Sequence, residues 1–214
     1  MPYGPIVWIE GIIGAGKTTL TKTLCERLQY RPILEPVESN PYLEKFYGEP
    51  KRWATMMQMH LLHHRYAQQK LAAYEATGVG GYKGAVLDRG LPGDRVFARM
   101  HMRAGNIDPL EWQTYEMAYD NMVCSLVPPS FLIFLDVDPE VALARIKERA
   151  RGCEVTIDLA YLHGLQRGYY DLLVEIDAGE HAWSRGIQTK RIPWNVDNQP
   201  VEALVDMVQK FASR

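Results

Sequence analysis

The order of patterns along the chain predicts an α/β fold: a parallel sheet of about five strands covered by helices on both faces. Three observations carry that expectation. Short, β-rich apolar runs alternate with longer stretches whose apolar residues recur at helical spacing. The first run empties into a glycine-rich turn that opens a helix, and later runs end on carboxylates.

Taken in order, Ile6–Ile9 is the first strand, and Gly11–Gly16 is the turn after it. Leu20, Leu24 and Leu28 mark one face of the helix that follows. Pro32-Ile33-Leu34 is a second strand that runs into Glu35-Pro36-Val37-Glu38. Arg52–Ala76 holds neither Gly nor Pro and is read as one long helix, and Ala85–Asp88 is a buried strand. A helix is expected from near Asp94, and Asp108-Pro109 has the form of an N-cap and first helical residue. Phe131–Val137 is the most apolar strand, and Asp138-Pro139-Glu140 opens a helix with a basic end. Tyr161–Ile176 is helical, Ile192–Val196 is the last strand, and Pro200–Phe211 is the closing helix. No repeat, low-complexity segment or linker interrupts the pattern, so residues 1–214 are read as one domain.

Composition narrows the functions. Lys plus Arg total 24 against 26 for Asp plus Glu, a formal charge of −2, which is no field for a nucleic-acid polymer or a membrane surface. Cys25, Cys124 and Cys153 are an odd count without CxxC spacing, and a reducing compartment fits them. The N-terminal stretch lacks the pattern of a signal peptide, and the longest apolar run is far too short to cross a bilayer. A cytoplasmic location without membrane contact is the expectation. His60 and His64 share a helix face, yet HExxH and a third ligand are missing, so packing is the better reading. Trp112, Tyr115, Tyr119 and Met122 repeat at helical spacing, as core or a subunit interface would.

Gly11-Ile12-Ile13-Gly14-Ala15-Gly16-Lys17-Thr18 satisfies GxxxxGK(S/T) in full, between a strand and a helix as the mechanism requires. Glycines let backbone N–H groups turn toward phosphate oxygens, and the helix N-terminus adds positive potential. Lys17 is expected to reach the β- and γ-phosphates, Thr18 to ligate Mg²⁺, and Thr19 to complete the loop. A turn that served packing alone would have no use for Gly16-Lys17-Thr18. Binding of a nucleoside triphosphate follows.

Glu35 and Asp88 stand at the C-terminal ends of strands, where an open parallel sheet forms its ligand crevice. Phosphoryl transfer needs positioning, charge neutralisation and a group to accept the acceptor hydroxyl's proton. Glu35 is the candidate base, and Asp88-Arg89 suits a metal and a phosphate, with Glu35 as a further candidate ligand.

The glycine loop, Glu35-Pro36-Val37, Tyr47, Gln58, Asp88-Arg89, Asp94-Arg95 and Arg145-xxx-Arg149-x-Arg151-xx-Glu154 occur in the order found in deoxyribonucleoside kinases. Over nearly its full length, to about Trp194, the chain resembles the deoxycytidine, deoxyguanosine and deoxyadenosine kinase group. The resemblance implies a three-layer P-loop kinase fold and transfer of phosphate from ATP, with Mg²⁺, to the 5′-hydroxyl of a deoxyribonucleoside. It also implies a homodimer. It makes Glu35 the base and Arg89 its partner, with Tyr47 and Glu154 on the 3′-hydroxyl. Val37, Met57 and Gln58 would line the base site, with Arg65 and Asp94 reading the polar groups of the base. Arg145, Arg149 and Arg151 would form a lid at about 145–154, and a loop at about 179–197 would hold the donor base.

Three departures stand out. Gly90 occupies a position where the family usually has serine, Asn40 replaces a common tryptophan, and Cys153 replaces an acid frequent in animal members. The alternative enzyme is a nucleoside monophosphate kinase of thymidylate type, whose charged acceptor needs extra arginines and not a carboxylate base. A nucleotide-binding switch without transfer would have no use for Glu35, Tyr47, Gln58 and Glu154. Arg65 and Asp94 favour bases with an exocyclic amine over thymine, and Asn40 leans the choice toward purines.

Overall fold

Three of the apolar runs are buried along their whole length, so each needs cover on both faces and belongs in the middle of a sheet. The computed structural model describes residues 3–35, 40–149, 156–196 and 201–212. It places β1 (Ile6–Glu10), β3 (Ala85–Asp88) and β4 (Phe131–Asp136) centrally, flanked by β2 (Arg31–Ile33) and β5 (Gln188–Pro193). The strand order is β2-β3-β1-β4-β5 and every pairing is parallel. The register Ile9↔Asp88 and Glu10↔Phe134 brings the two acid-ended strands level beside the glycine loop. The connection from β1 runs outward to β2 on one side, and the connection from β3 crosses past β1 to β4 on the other, which opens a crevice at the C-terminal edge.

The helices are α1 (Lys17–Leu28), α2 (Leu43–Gly48), α3 (Pro50–Glu75), α4 (Leu91–Arg103), α5 (Pro109–Val123), α6 (Pro139–Arg149), α7 (Leu159–Asp177) and α8 (Glu202–Ala212). One apolar cluster fills the space around the sheet, including Trp8, Phe131, Phe134 and Tyr169. A second joins α2, α3, α4 and α5 through Phe46, Met57, Leu62, Leu91, Tyr115 and Tyr119, with Trp112 and Met122 packed against it. Within the described residues no helix is long and apolar enough to cross a membrane.

Three sequence expectations need correction. The last strand is Gln188–Pro193 and not Ile192–Val196, so it occupies part of the stretch read as a donor-base loop. As an edge strand it keeps Thr189 and Ile192 partly covered and leaves Gln188, Lys190 and Arg191 in water, a pattern that apolar content does not reveal. Helix α4 begins at Leu91, before Asp94, because Pro92 falls in the first turn, where its missing N–H costs nothing. Helix α2 was not anticipated. Its six residues are too few to show a period.

Asp108 caps α5 by accepting from the N–H groups of Leu110 and Glu111, while Glu111 accepts from the Asp108 N–H. Asp108→Ala should therefore cost about 1 kcal/mol in urea unfolding. A change below the measurement error would show that packing alone sets this helix start.

Candidate active site

Left-handed backbone at Gly11 (φ 152°), Gly14 (φ 80°) and Gly16 (φ 88°) curls the loop after β1, a path that only glycine follows without strain. No side chain caps α1 at Gly16 and no acid stands in its first turn. The first N–H groups of that helix therefore face the crevice with its positive dipole end unneutralised. Lys17 is buried, and its ammonium donates to the carbonyls of Gly11 (3.2 Å) and Ile12 (2.9 Å). Burial first, then the neighbouring Arg89 charge, pulls its pKa down to about 7. Thr18 Oγ1 donates to Asp88 Oδ2, and the other oxygen, Asp88 Oδ1, is buried without a hydrogen-bond partner.

A cavity of about 290 Å³ opens beside this loop, near the lower end of the range for small-molecule sites. Its polar wall includes Lys17, Thr18, Glu35, Tyr47, Gln58, Arg65, Asp88, Arg89 and Arg149, and its apolar wall Ile13, Phe46, Met57, Leu61, Phe97 and Tyr161. Glu35, just beyond β2, accepts from Arg65 Nη2 and from Arg89 Nε at 3.4 Å. Burial alone would raise its pKa, but the charges of Arg65, Arg89 and Lys17 outweigh that and hold it at about 2. Gln58 and Arg65 lie seven residues apart, two helical turns, and so share one face of α3. Both amide atoms of Gln58, Oε1 and Nε2, are buried and unpartnered, a donor and an acceptor presented to whatever enters.

Asp94 is not on this wall. It is fully buried behind Arg65, whose Nη1 donates to it, and the Tyr115 hydroxyl donates to its second oxygen. Arg145 sits aside as well, donating to the carbonyls of Trp194 and Asn195. Gly11, Ile12, Ala15, Gly16 and Thr19 belong to the loop and first helical turn and do not border the cavity. Val37, Arg151 and Glu154 lie outside the described residues. The His60 and His64 rings lie tilted against each other at 4.5 Å between centroids, and no group of three metal-ligating His, Cys, Asp or Glu occurs among the described residues.

Arg89 organises the site. It is not glycine, yet its φ is +81°, a conformation that costs on the order of 1 kcal/mol. Nη1 donates to the Gly11 carbonyl at 3.1 Å and to the Tyr169 hydroxyl, and the guanidinium lies over the Phe97 ring at 4.6 Å. The following residue must be glycine here. A Cβ on Gly90 would stand 2.5 Å from Trp8 Cδ2, inside any permitted contact, which accounts for the missing serine.

Sequence reasoning overlooked Glu10, Tyr161 and Tyr169. Glu10 had a readable signal, a lone acid closing an apolar run directly before the glycine loop. The tyrosines had none, since helical periodicity does not say which aromatic carries a polar task.

A phosphate-binding loop and an acceptor cavity at the C-terminal edge of one parallel sheet define the class as a P-loop kinase. Residues 7–211 match the deoxynucleoside kinase family, and the chain belongs to it. It is 36% identical over 206 residues to deoxyadenosine kinase of Dictyostelium discoideum, covering 96% of this chain and 78% of that one. It is 37% identical over 172 residues to deoxyadenosine/deoxycytidine kinase of Bacillus subtilis (strain 168), covering 79% and 76%. The solved structure of deoxyadenosine kinase from M. mycoides with bound dCTP superposes with a TM-score of 0.76 at 26% identity, covering 97% and 98%. The thymidylate-type alternative is not favoured by these relatives.

Because the cations hold Glu35 below its ordinary pKa of 4.5, its ion pairs stabilise the fold above that pH. The contribution is lost as pH falls from 4.5 toward 2. Glu35→Gln should be less stable than the parent at pH 6, and the gap should close across that window in urea titrations. A gap independent of pH would mean that the charges of Arg65 and Arg89 do not stabilise this carboxylate.

Proposed function

We propose that this kinase transfers the γ-phosphoryl group of ATP to the 5′-hydroxyl of a deoxyribonucleoside, favouring deoxyadenosine, deoxyguanosine or deoxycytidine over thymidine. The observation that carries the reading is a carboxylate, Glu35, on the wall of one cavity with Lys17 and Thr18, clamped by two guanidinium groups. Glu35 takes the proton of the 5′-hydroxyl, its oxygen attacks the γ-phosphorus, and the bond to the β-phosphate oxygen breaks to release ADP.

A carboxylate held at about 2 by Arg65, Arg89 and Lys17 is a weak base. A triphosphate beside Lys17 and Arg89 competes for those charges and lifts Glu35 toward its ordinary range. Lys17 grips the β- and γ-phosphates, and Arg145, Arg149 and Arg151 close over them as a lid between about 145 and 154. Thr18 and the unpartnered Asp88 Oδ1 fit a Mg²⁺ ion whose remaining ligands are phosphate oxygens and water. Mg²⁺ there would neutralise charge that builds on the transferring group. The stretch at 179–197 would hold the donor base, with β5 at its centre.

On the acceptor side, Tyr47 and Glu154 take the 3′-hydroxyl, Val37 and Met57 pack on the nucleoside, and Gln58 bonds the base edge. The amide of Gln58 can turn over, so it accepts any base; Arg65 makes the choice. Asp94 acts through Arg65 by fixing its guanidinium, which meets a ring acceptor on adenine, guanine or cytosine but is crowded by the methyl of thymine. An unpaired buried donor costs about 1–3 kcal/mol, roughly tenfold to hundredfold in kcat/KM. The reading extends to a cytoplasmic homodimer, for which exposed Met117 and Val174 on α5 and α7 offer apolar surface.

The test is a screen of the four deoxynucleosides with ATP and Mg²⁺, in the parent and in Glu35→Gln. Thymidine should be about tenfold or more the poorer acceptor. The variant should lose about 100- to 10,000-fold in kcat with acceptor KM little changed. A best rate with thymidine overturns the specificity, and a variant within a few fold of the parent overturns the base.

A further inference from the structure

Glu10 lies outside the cavity, yet the strained turn at Arg89 rests on it. The side chain is fully buried at the end of β1. Oε1 accepts from the Gly90 N–H at 2.7 Å, and Oε2 accepts from the Tyr169 hydroxyl at 2.9 Å. That hydroxyl in turn accepts from Arg89 Nη1, so one chain of hydrogen bonds runs from Glu10 through Tyr169 to the guanidinium that holds Glu35. The carboxylate also reaches the start of α4. Gly90 is the N-cap and makes no side-chain cap of its own, and a Cβ on Gly93 would stand 2.3 Å from Glu10 Oε2. An anion supplied by another strand occupies the positive end of this helix. Trp8, two residues earlier on β1, fills the space over Gly90 from the other side.

We propose that Glu10 is a positioning residue for phosphoryl transfer: with Tyr169 it sets the left-handed turn at Arg89 and aims that guanidinium at Glu35. The inference rests on the reaction proposed above. Its logic is geometric. Glu10 does not border the cavity, and its polar contacts end on the Arg89-Gly90 turn, directly or through Tyr169. A small rotation at Arg89 moves the guanidinium away from a carboxylate it reaches at only 3.4 Å. Misplacement of a catalytic group by an ångström can cost about 100-fold in rate while the substrate still binds.

The experiment is a double-variant cycle on the full chain with ATP, Mg²⁺ and the best deoxynucleoside, using Glu10→Gln, Tyr169→Phe and both together. Each single variant should lose roughly 10- to 100-fold in kcat with acceptor KM within about twofold. Because the two act along one chain, the double variant should be no more than about threefold worse than the poorer single. Losses that multiply, or a folded Glu10→Gln with kcat within twofold of the parent, overturn the proposal. Should Glu10→Gln fail to fold, Tyr169→Phe decides alone, and an unchanged kcat there counts against it. A parent that phosphorylates no deoxynucleoside overturns the functional reading; an active parent with indifferent variants overturns only the role of Glu10.

Discussion

Lys17, Arg65 and Arg89 are cations gathered in one buried space, and the rest of the site depends on how the fold keeps them there. Unscreened like charges at such range repel by several kcal/mol in a low-dielectric interior. Four carboxylates interleave with them: Glu10 and Asp88 at the ends of β1 and β3, Glu35 just past β2, and Asp94 in the first turn of α4. Parallel strands make this economical, because their C-terminal ends converge on one edge. The directions of the pKa shifts record the balance. Burial raises the pKa of Glu10 and of Asp94 despite their arginine neighbours, whereas Glu35, on the cavity wall and facing three cations, is pulled down.

The strain at Arg89 follows from the same constraint. A guanidinium that must touch the Gly11 carbonyl, Tyr169 and Glu35 at once cannot be delivered by ordinary extended backbone directly after β3. The left-handed turn solves the geometry, and its surroundings are shaped to it. Trp8 leaves room for no side chain at position 90, and Glu10 receives the N–H that the turn presents. Pro92 then starts α4 at once, which swings Asp94 under Arg65. One backbone torsion thus connects Glu35, Arg65 and the glycine loop.

Much of this was legible in the residues. The loop Gly11–Thr18 reads directly because phosphate binding leaves little freedom of residue type, and Glu35 and Asp88 read from their places at strand ends. Gln58 and Arg65 came from the family resemblance, with their seven-residue spacing in support. What did not read was cross-chain. Gly90 is visible as a departure, but its cause is an indole 82 residues earlier, on a strand that the sequence shows only as apolar. The edge strand β5 escaped because hydrogen bonding to β4 defines it, with Asp136↔Pro193 as its last pair, and its side chains carry no apolar signal. Asp94 was read as a residue of the binding surface, whereas its depth is set by α5, which delivers the Tyr115 hydroxyl that caps it.

The charge balance also explains why a carboxylate held near 2 suits a transferase. Three cations against four carboxylates leave these groups with no formal excess of positive charge to spend on a triphosphate. In the proposed reaction an arriving donor would compete with the acidic partners of Lys17 and Arg89, with Arg149 at the cavity wall and the unpartnered Asp88 oxygen within the same space. Each cation so recruited is one that no longer depresses Glu35. On that reading the basicity of Glu35 would rise with donor binding. Before that, the carboxylate is tied to Arg65 and Arg89 and is a poor proton acceptor, for water as much as for a sugar hydroxyl. On the proposed reading, shared cations would couple Glu35 to the donor, so that donor charge comes first and proton abstraction second.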